Sequence, residues 1–264
     1  MIEEFEVTVP APRGAETRTA SVYLPKSYDG KKRFPVLYMF DGQTAFYDER
    51  APYGDSWRMG EELDKLGADL IVATVDCDAH ERITEYSPFA FDCGDFHSEG
   101  KGGNYLDWFV GTFKQMIDEK YCTNPDRAHT YLAGSSMGGL MTVFGLCRYS
   151  DVFAGGASLS PSFWADPKAS EQMIRAAKIG KTKLYLDYGE KELERHGVRQ
   201  REALSACIAA LLEQKTELTF RLVRGGKHNE VCWRKQIPVF LRALGLGDDE
   251  KIRQPFEDVD TGAI

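Results

Sequence analysis

The sequence contains no pair of cysteines at the spacing of a metal or redox motif. Its six cysteines are scattered over 264 residues, and no two of them form Cys-x-x-Cys. Zinc knuckles and thiol–disulfide motifs need that close spacing, so neither is indicated. Scattered cysteines in a chain of this length predict free thiols, several of them buried, in a reducing compartment.

The sequence also lacks a signal peptide, a membrane span and any basic block. Residues 1–5 (MIEEF) are acidic, whereas a signal peptide begins with positive charge and continues with an apolar run. No segment has the roughly 20 apolar residues that a membrane helix needs. The formal net charge is −8 at pH 7, so neither nucleic acid nor a membrane is an expected partner. We expect a soluble cytoplasmic protein.

Internal repeats, low-complexity stretches and linkers are absent too. We therefore expect one domain over residues 1–264, with its core at about 5–245 and a polar tail at 247–264.

Strand patterns of two kinds are present. Residues 5–9 and 19–24 alternate apolar and polar side chains around a turn at 12–14, which predicts an antiparallel pair at a sheet edge. Continuous apolar runs are typical of parallel strands that are covered on both faces. The further strand candidates are residues 35–40, 70–75, 128–133, 155–160, 183–188 and 218–223.

Helical patterns fall between these strands. They cover residues 56–66, 105–121 with Asn104 as N-cap, the segment after Ser136, 169–179, 199–215 and 231–244. An antiparallel lead-in followed by alternating strands and helices predicts an α/β fold with about eight strands, a mostly parallel sheet and helices on both faces. Residues 76–103 form a long loop, and loops of this length are often functional.

Residues 134–138 (GSSMG) have the form Gly-x-Ser-x-Gly. The five letters alone are weakly specific, but here a strand pattern precedes them and a helix pattern follows. A serine on a sharp strand-to-helix turn is the nucleophile elbow of an α/β-hydrolase, and the glycines permit the tight turn. This context makes Ser136 the candidate nucleophile.

A serine nucleophile needs a base, and in α/β-hydrolases the chain order is Ser, acid, His. Of the five histidines only His196 and His228 follow Ser136 at a suitable distance. His228 lies between the last strand and the last helix, where α/β sheets gather their active sites. His196 lies in a charged run typical of solvent exposure, so His228 is favoured.

The acid is expected just after the strand at 183–188, where most carboxylates belong to the solvated surface. The candidates are Asp187, Glu190, Glu192 and Glu194. Glu192 is favoured because it lies at the mouth of the loop.

The oxyanion hole needs two backbone N–H groups, and these are expected from Met137, next to the nucleophile, and from Gln43, after an early strand.

Five separated motifs resemble the putative esterase family of α/β-hydrolases over residues 22–244. These motifs are residues 36–43 (VLYMFDGQ), 82–88 (RITEYSP), 133–139 (AGSSMGG), 158–164 (SLSPSFW) and 226–229 (GKHN) with Trp233. The family includes feruloyl and acetylxylan esterases, S-formylglutathione hydrolase, enterobactin-type siderophore esterases and mycolyltransferases. The resemblance implies Ser136 as nucleophile, His228 as base, Glu192 as acid and Gln43 as an oxyanion donor.

These observations predict a serine esterase that hydrolyses a small-molecule carboxylic ester, such as a feruloyl or acetyl ester of an aryl group or a sugar, with no metal or organic cofactor. Residues 76–80 (DCDAH) match no metal signature and are expected to form a polar loop. Two alternatives stay open: an acyltransferase that uses the same acyl-enzyme, and a non-catalytic binding protein on the hydrolase fold.

Aromatic residues near the carboxyl ends of the strands are candidates for the substrate pocket, since such pockets are usually rich in aromatic side chains. Phe46, Phe163 and Trp164 are the chosen candidates, with Tyr47 and Trp57 beside them. For each of them, packing in the core is the alternative.

Overall fold

The computed structural model describes residues 1–78 and 80–247. The predicted polar tail therefore lies outside the described residues, except for Gly247. The strands are β1 (Ile2–Ala11), β2 (Gly14–Tyr23), β3 (Val36–Met39), β4 (Ile71–Val75), β5 (Phe91–Cys93), β6 (Phe96–Ser98), β7 (Thr130–Ser135), β8 (Gly155–Leu159), β9 (Lys183–Gly189) and β10 (Glu217–Val223). The helices are α1 (Met59–Leu66), α2 (Arg82–Glu85), α3 (Gly102–Trp108), α4 (Lys114–Lys120), α5 (Met137–Arg148), α6 (Pro167–Ala176), α7 (Glu190–Glu213), α8 (Glu230–Arg234) and α9 (Ile237–Leu244).

Eight strands form one sheet in the order β1-β2-β4-β3-β7-β8-β9-β10. The pairs β1–β2 and β2–β4 are antiparallel. Every other neighbouring pair, from β4–β3 to β9–β10, is parallel. The sequence-based prediction of a mostly parallel sheet with an antiparallel pair at its edge is confirmed.

Each face of the sheet is covered by a hydrophobic layer. One layer contains the apolar side chains of α3 to α7, and the other contains those of α1 and α9. Strands β3, β4, β7 and β8 are buried at every position. Burial on both faces explains the continuous apolar runs of β3 and β4, whereas β7 and β8 also contain small residues such as glycine and serine. Among the helices of the described residues, none combines the length and the apolar character required to cross a membrane.

The segment predicted as a long loop has more structure than expected. It contains α2 and the short antiparallel hairpin of β5 and β6. Each of these strands has three residues, which is too short for an alternating pattern to be recognised in the sequence.

Three helix boundaries also differ from the sequence-based expectation. Helix α3 begins at Gly102 rather than after Asn104, because the Gly102 N–H bonds to the Ser87 carbonyl oxygen at 2.8 Å and fixes the entry of the chain. Helix α7 begins at Glu190 and is kinked at Gly197, where φ is 73°. The single helix expected at 231–244 is two helices, because a proline stands in the first turn of α9, a position that suits the start of a new helix.

Candidate active site

Ser136 lies on the sharp turn between β7 and α5. Its backbone has φ 57° and ψ −120°, a conformation that costs free energy for a residue with a side chain. The flanking glycines leave the space that this turn needs. A Cβ at Gly134 would lie 2.6 Å from the backbone of Gly138, and a Cβ at Gly138 would lie 2.9 Å from Oδ2 of Asp41. The turn therefore holds the Ser136 hydroxyl at the carboxyl edge of the sheet.

The structure brings together the three residues that the sequence singled out. The Ser136 Oγ lies 3.0 Å from Nε2 of His228, and Nδ1 of His228 lies 2.7 Å from Oε2 of Glu192. His228 comes from the loop between β10 and α8, and Glu192 comes from the first turn of α7. Parallel strands deliver these loops to the same edge of the sheet, so residues 92 positions apart meet there.

The Glu192 carboxylate is buried and has polar partners on both oxygens. Besides His228, it accepts a hydrogen bond from the Ser160 hydroxyl at 2.7 Å and one from the Gly189 N–H at 3.1 Å, both on Oε1. The indole N–H of Trp233 donates to the Ser160 hydroxyl at 3.0 Å. The Trp233 ring also packs edge-on against the His228 ring, with centroids 4.9 Å apart. These contacts fix the position of both the acid and the imidazole.

The other acids that the sequence offered have different partners. Asp187 is buried, and its carboxylate accepts from the Tyr185 hydroxyl at 2.9 Å and from the Ser160 N–H at 3.3 Å. Burial raises the pKa of Asp187 to about 7. Glu190 accepts from the Gly225 N–H at 2.9 Å, and Glu194 pairs with Lys191 on the surface. None of these contacts involves an imidazole.

The alternative base His196 belongs to α7, but its side chain lies outside the part of the structure that is described.

Two backbone N–H groups are available near Ser136 for the oxyanion hole. Met137 is the first residue of α5, and Gln43 lies in a 3₁₀ turn, Gly42–Thr44, directly after β3. No described residue accepts a hydrogen bond from either N–H. The side chain of Gln43 is held through Cys77, which donates its N–H to Oε1 and accepts from Nε2 at Sγ, each at 3.1 Å.

An ion pair anchors the turn that carries Gln43. The Arg82 guanidinium donates from Nε and Nη2 to the two carboxylate oxygens of Asp41, at 2.5 and 2.7 Å. The Asp41 N–H in turn donates to the Tyr86 hydroxyl at 3.2 Å. Asp41 has a positive φ of 63°, so these contacts stabilise a backbone conformation that is otherwise unfavourable.

The Ser136 and His228 side chains open into a cavity of about 880 Å³. Its charged lining is mainly acidic and consists of Asp41, Asp55, Asp76, Asp78, Glu230, Arg50 and Arg82. Its aromatic lining consists of Tyr53 and Trp233, and Gln43 also lines it.

The candidate pocket aromatics lie elsewhere. Phe46 and Phe163 are 5 % and 0 % exposed and pack in the hydrophobic layers, because their strand-end loops fold back onto the sheet. Trp164 is half-buried and packs against Phe91 and Phe96 of the hairpin. An aromatic contact with substrate therefore remains a prediction for Trp164 alone among the three chosen residues.

Of the two further aromatic candidates, Trp57 packs in the core and Tyr47 is exposed. Trp57 is buried and stacks on Trp233, with ring centroids 6.1 Å apart. Tyr47 is exposed, and its ring lies 6.4 Å from that of Phe46.

In the segment predicted as a polar loop, the Asp78 carboxylate accepts hydrogen bonds from the backbone N–H groups of His80 and Glu81, both at 2.8 Å. Among residues 1–78 and 80–247, no three His, Cys, Asp or Glu side chains are grouped so that they could hold a metal ion.

Comparison with known proteins identifies the family of the chain. A family model described as "Putative esterase" matches residues 13–244. The chain belongs to this esterase family. Family membership supports an esterase, and hence a hydrolase, function.

Two curated relatives and one solved structure illustrate the likeness. YbbA of Bacillus subtilis (strain 168), described as uncharacterized, is 23% identical over 240 residues, which cover 87% of this chain and 92% of that protein. The endo-1,4-beta-xylanase/feruloyl esterase of Xylanibacter ruminicola is 24% identical over 249 residues, which cover 90% of this chain and 31% of that protein. A ferulic acid esterase structure has a TM-score of 0.67 at 19% identity, covering 94% of this chain and 98% of that chain. The chain has the α/β-hydrolase fold of these esterases.

Proposed function

We propose that this esterase-family protein hydrolyses a carboxylic ester through an acyl-enzyme formed on Ser136. A serine hydroxyl is a weak nucleophile until a base accepts its proton. The observation that supports the proposal most directly is the chain of two hydrogen-bond distances, 3.0 Å from Ser136 to His228 and 2.7 Å from His228 to Glu192.

In the first step, the Ser136 oxygen attacks the ester carbonyl carbon while Nε2 of His228 accepts the hydroxyl proton. The tetrahedral intermediate then collapses, the bond to the alcohol oxygen breaks, and His228 donates the proton to the departing alcohol. Water attacks the acyl-enzyme in the second step with His228 again as base, which releases the acid and restores Ser136. Glu192 holds the imidazole in the required tautomer and stabilises its positive charge.

The N–H groups of Gln43 and Met137 are the donors that we propose for the tetrahedral oxyanion. Neither has another acceptor among the described residues, so both are free to bind negative charge as it develops. A donor fixed in place before the reaction stabilises the transition state without a cost for reorientation.

We propose a small-molecule carboxylic ester as the substrate, with an aryl or sugar ester such as a feruloyl or acetyl ester as the leading class. One curated relative is named as a feruloyl esterase. The cavity volume of about 880 Å³ is within the range usual for small-molecule sites.

Hydrolysis of p-nitrophenyl acetate by the wild type and by Ser136→Ala tests the nucleophile. We expect the variant to lose activity by about a thousandfold or more, because the three residues act as a unit. A fluorophosphonate probe should label the wild type on the peptide that contains Ser136, as read by mass spectrometry.

Two serines provide controls. Ser162 Oγ lies 3.4 Å from Ser136 Oγ, so Ser162→Ala asks whether the neighbouring hydroxyl can be the nucleophile. Ser150 lies on the surface, where its hydroxyl bonds to the Lys178 carbonyl oxygen, and Ser150→Ala should behave as wild type. Undiminished hydrolysis or labelling in Ser136→Ala would refute the proposal.

A further inference from the structure

Glu230 places a largely buried carboxylate, which is hydrogen-bonded to its own backbone N–H, in the cavity that contains Ser136 and His228. The residue lines this cavity and is only 8 % exposed. Among the described residues, none outside Glu230 itself donates a hydrogen bond to its carboxylate, and none forms an ion pair with it. Burial raises the pKa of Glu230, and the nearby Asp41 carboxylate raises it further.

A carboxylate can accept more hydrogen bonds than the one that its own N–H supplies. Because Glu230 lines the cavity, its remaining acceptor capacity is directed at whatever occupies that cavity. A ligand donor that replaces water there forms a hydrogen bond with a largely buried, charged acceptor.

Capping of α8 does not account for this carboxylate. Helix α8 has five residues, and its N-cap is Asn229, whose side chain accepts from the Cys232 N–H at 3.0 Å. The backbone hydrogen bond that the Glu230 carboxylate accepts comes from the N–H of Glu230 itself.

The charges around the cavity restrict what the ligand can be. Both arginines that line the cavity are already paired: Arg82 binds both oxygens of Asp41, and Arg50 binds Glu4 and Asp76. Asp76 keeps a second buried oxygen, Oδ1, that has no hydrogen-bond partner among the described residues. The lining therefore offers acceptors and negative charge, but no unpaired guanidinium for a substrate carboxylate.

The position of Glu230 near His228 indicates which half of the ester its carboxylate can contact. Glu230 is two residues beyond His228 and lines the same cavity. In the proposed reaction His228 gives its proton to the departing alcohol oxygen, so the alcohol half is the part of the ester on the His228 side of the cavity.

We propose that Glu230 is a specificity-determining residue that accepts a hydrogen bond from a hydroxyl or ammonium group on the alcohol half of the ester, and that the acidic cavity rejects esters with a carboxylate there. This inference rests on the proposed esterase function. A hydrogen bond to a charged acceptor discriminates well, because the analogue without the donor leaves that acceptor desolvated and unpaired.

Four acetate esters with the same acyl group test the proposal. Propyl acetate has no donor, glycerol 1-monoacetate adds hydroxyl groups, 3-(dimethylamino)propyl acetate adds an ammonium group, and 3-acetoxypropanoate adds a carboxylate. The measurement is kcat/KM from acetate release, for the wild type, Glu230→Gln and Glu230→Ala. Each result is read as a ratio to propyl acetate in the same variant, so a general loss of activity cancels.

We expect at least one donor ester to exceed propyl acetate by about ten- to hundredfold in the wild type, the gain typical of a charge-assisted hydrogen bond. We expect 3-acetoxypropanoate to fall below propyl acetate. In Glu230→Ala the advantage of the donor ester should fall to within a few-fold and the penalty on the anionic ester should shrink. The donor ester with the higher kcat/KM ratio shows whether Glu230 prefers a hydroxyl or an ammonium group. If Glu230→Gln loses only the preference for the ammonium ester, the negative charge of Glu230 is the cause of that preference.

Glu217→Ala is the matched control. Glu217 is exposed at the first residue of β10, at the end of that strand opposite to the cavity, and this variant should keep the wild-type ratios. No donor advantage in the wild type, or an advantage that persists in Glu230→Ala, would overturn the inference while leaving the esterase intact. Turnover of p-nitrophenyl acetate without turnover of either donor ester would overturn it as well. If the wild type hydrolyses no ester at all, the proposed function itself fails.

Discussion

The Ser160 hydroxyl donates a hydrogen bond to Oε1 of Glu192 at 2.7 Å. Ser160 follows β8 with a positive φ of 45°, which aims its side chain at the acid. The Ser160 hydroxyl oxygen also accepts a hydrogen bond from the indole N–H of Trp233 at 3.0 Å. One buried serine therefore connects the acid to the aromatic ring that packs on His228. Ser160 is a positioning residue for the proposed triad.

Removal of this hydroxyl should weaken catalysis and stability together. Ser160→Ala leaves the Trp233 N–H without its acceptor, which costs about 1–3 kcal/mol of the free energy of unfolding. A small shift of Glu192 and His228 should lower kcat by roughly ten- to hundredfold, with a smaller effect on KM. Urea titration and steady-state kinetics measure the two effects.

Ser158→Ala is the control for Ser160→Ala. Ser158 is equally buried, but its hydroxyl donates to the Gly139 carbonyl oxygen at 2.9 Å rather than to the acid. An equal fall in kcat in both variants would show that Ser160 acts only through stability.

Replacement of the proposed acid should be far more damaging than replacement of its neighbours. Glu192→Gln removes the charge that stabilises the imidazolium form of His228, and kcat should fall by about a thousand- to ten-thousandfold. Glu194→Gln changes a surface residue that pairs with Lys191 and should leave kcat within about twofold of wild type. A larger loss in Glu194→Gln or Glu190→Gln than in Glu192→Gln would assign the acid differently.

The sheet and the proposed triad could be predicted from the sequence because their signals are local. Continuous apolar runs mark β3, β4 and β9, and a serine between two glycines at a strand-to-helix boundary marks the elbow. The chain order of α/β-hydrolases then leaves few histidines and acids to choose from. Of these, His228 lies beside Ser136 and Glu192 lies beside His228.

The residues that support the site could not be found in this way. Ser160, Trp233 and Arg82 belong to recognised motifs, but which side chain faces which depends on how segments distant in the sequence pack together. Glu230 looks in the sequence like an ordinary acidic residue at a helix start. Only its burial beside the cavity distinguishes it. Phe46 and Phe163 pack in the core for a related reason, since an aromatic residue after a strand can equally well fold onto the sheet.

Gly42 should be required for the geometry of the turn that carries Gln43. A Cβ at this position would lie 2.7 Å from the Val75 carbonyl carbon and 2.8 Å from the Asp76 nitrogen, and these backbone atoms cannot move away independently. Gly42→Ala should therefore displace the Gln43 N–H and lower kcat by about a hundred- to a thousandfold, the loss expected for one oxyanion donor. Steady-state kinetics with p-nitrophenyl acetate measures the change.

Gly103→Ala is the matched control for Gly42→Ala. A Cβ at Gly103 meets nothing within 4 Å, and the residue lies within α3. The variant should keep its activity and gain up to about 1 kcal/mol of stability, because alanine is the better helix former. Full activity in Gly42→Ala would exclude this turn from the oxyanion hole.

Asp187 should make the protein less stable as the pH rises from about 4 to about 7. Its pKa is 3.8 in an ordinary setting and about 7 in the folded protein, because burial disfavours the charged form. Between these values the folded state holds a proton that the unfolded state has lost, so stability falls with pH by at most about 1.4 kcal/mol per unit. Below this window both states are protonated, and above it both are ionised.

Asp187→Asn should remove this dependence. The Tyr185 hydroxyl has a second acceptor in Oε1 of Gln236 at 3.2 Å, so the amide can be accommodated. The difference in free energy of unfolding between variant and wild type, from urea titrations at several pH values, should grow in favour of the variant from pH 5 to pH 7. A difference that is constant over this range would contradict the expected pKa.

The wide separation of the proposed nucleophile and base along the chain has a consequence for biosynthesis. The elbow is complete when β7 and α5 have formed, but its partner His228 follows 92 positions later, beyond the edge strand β10. A nascent chain that has folded only its central strands therefore exposes a serine with no base to activate it. The proposed hydrolysis can therefore begin only when the final third of the polypeptide has docked onto the sheet.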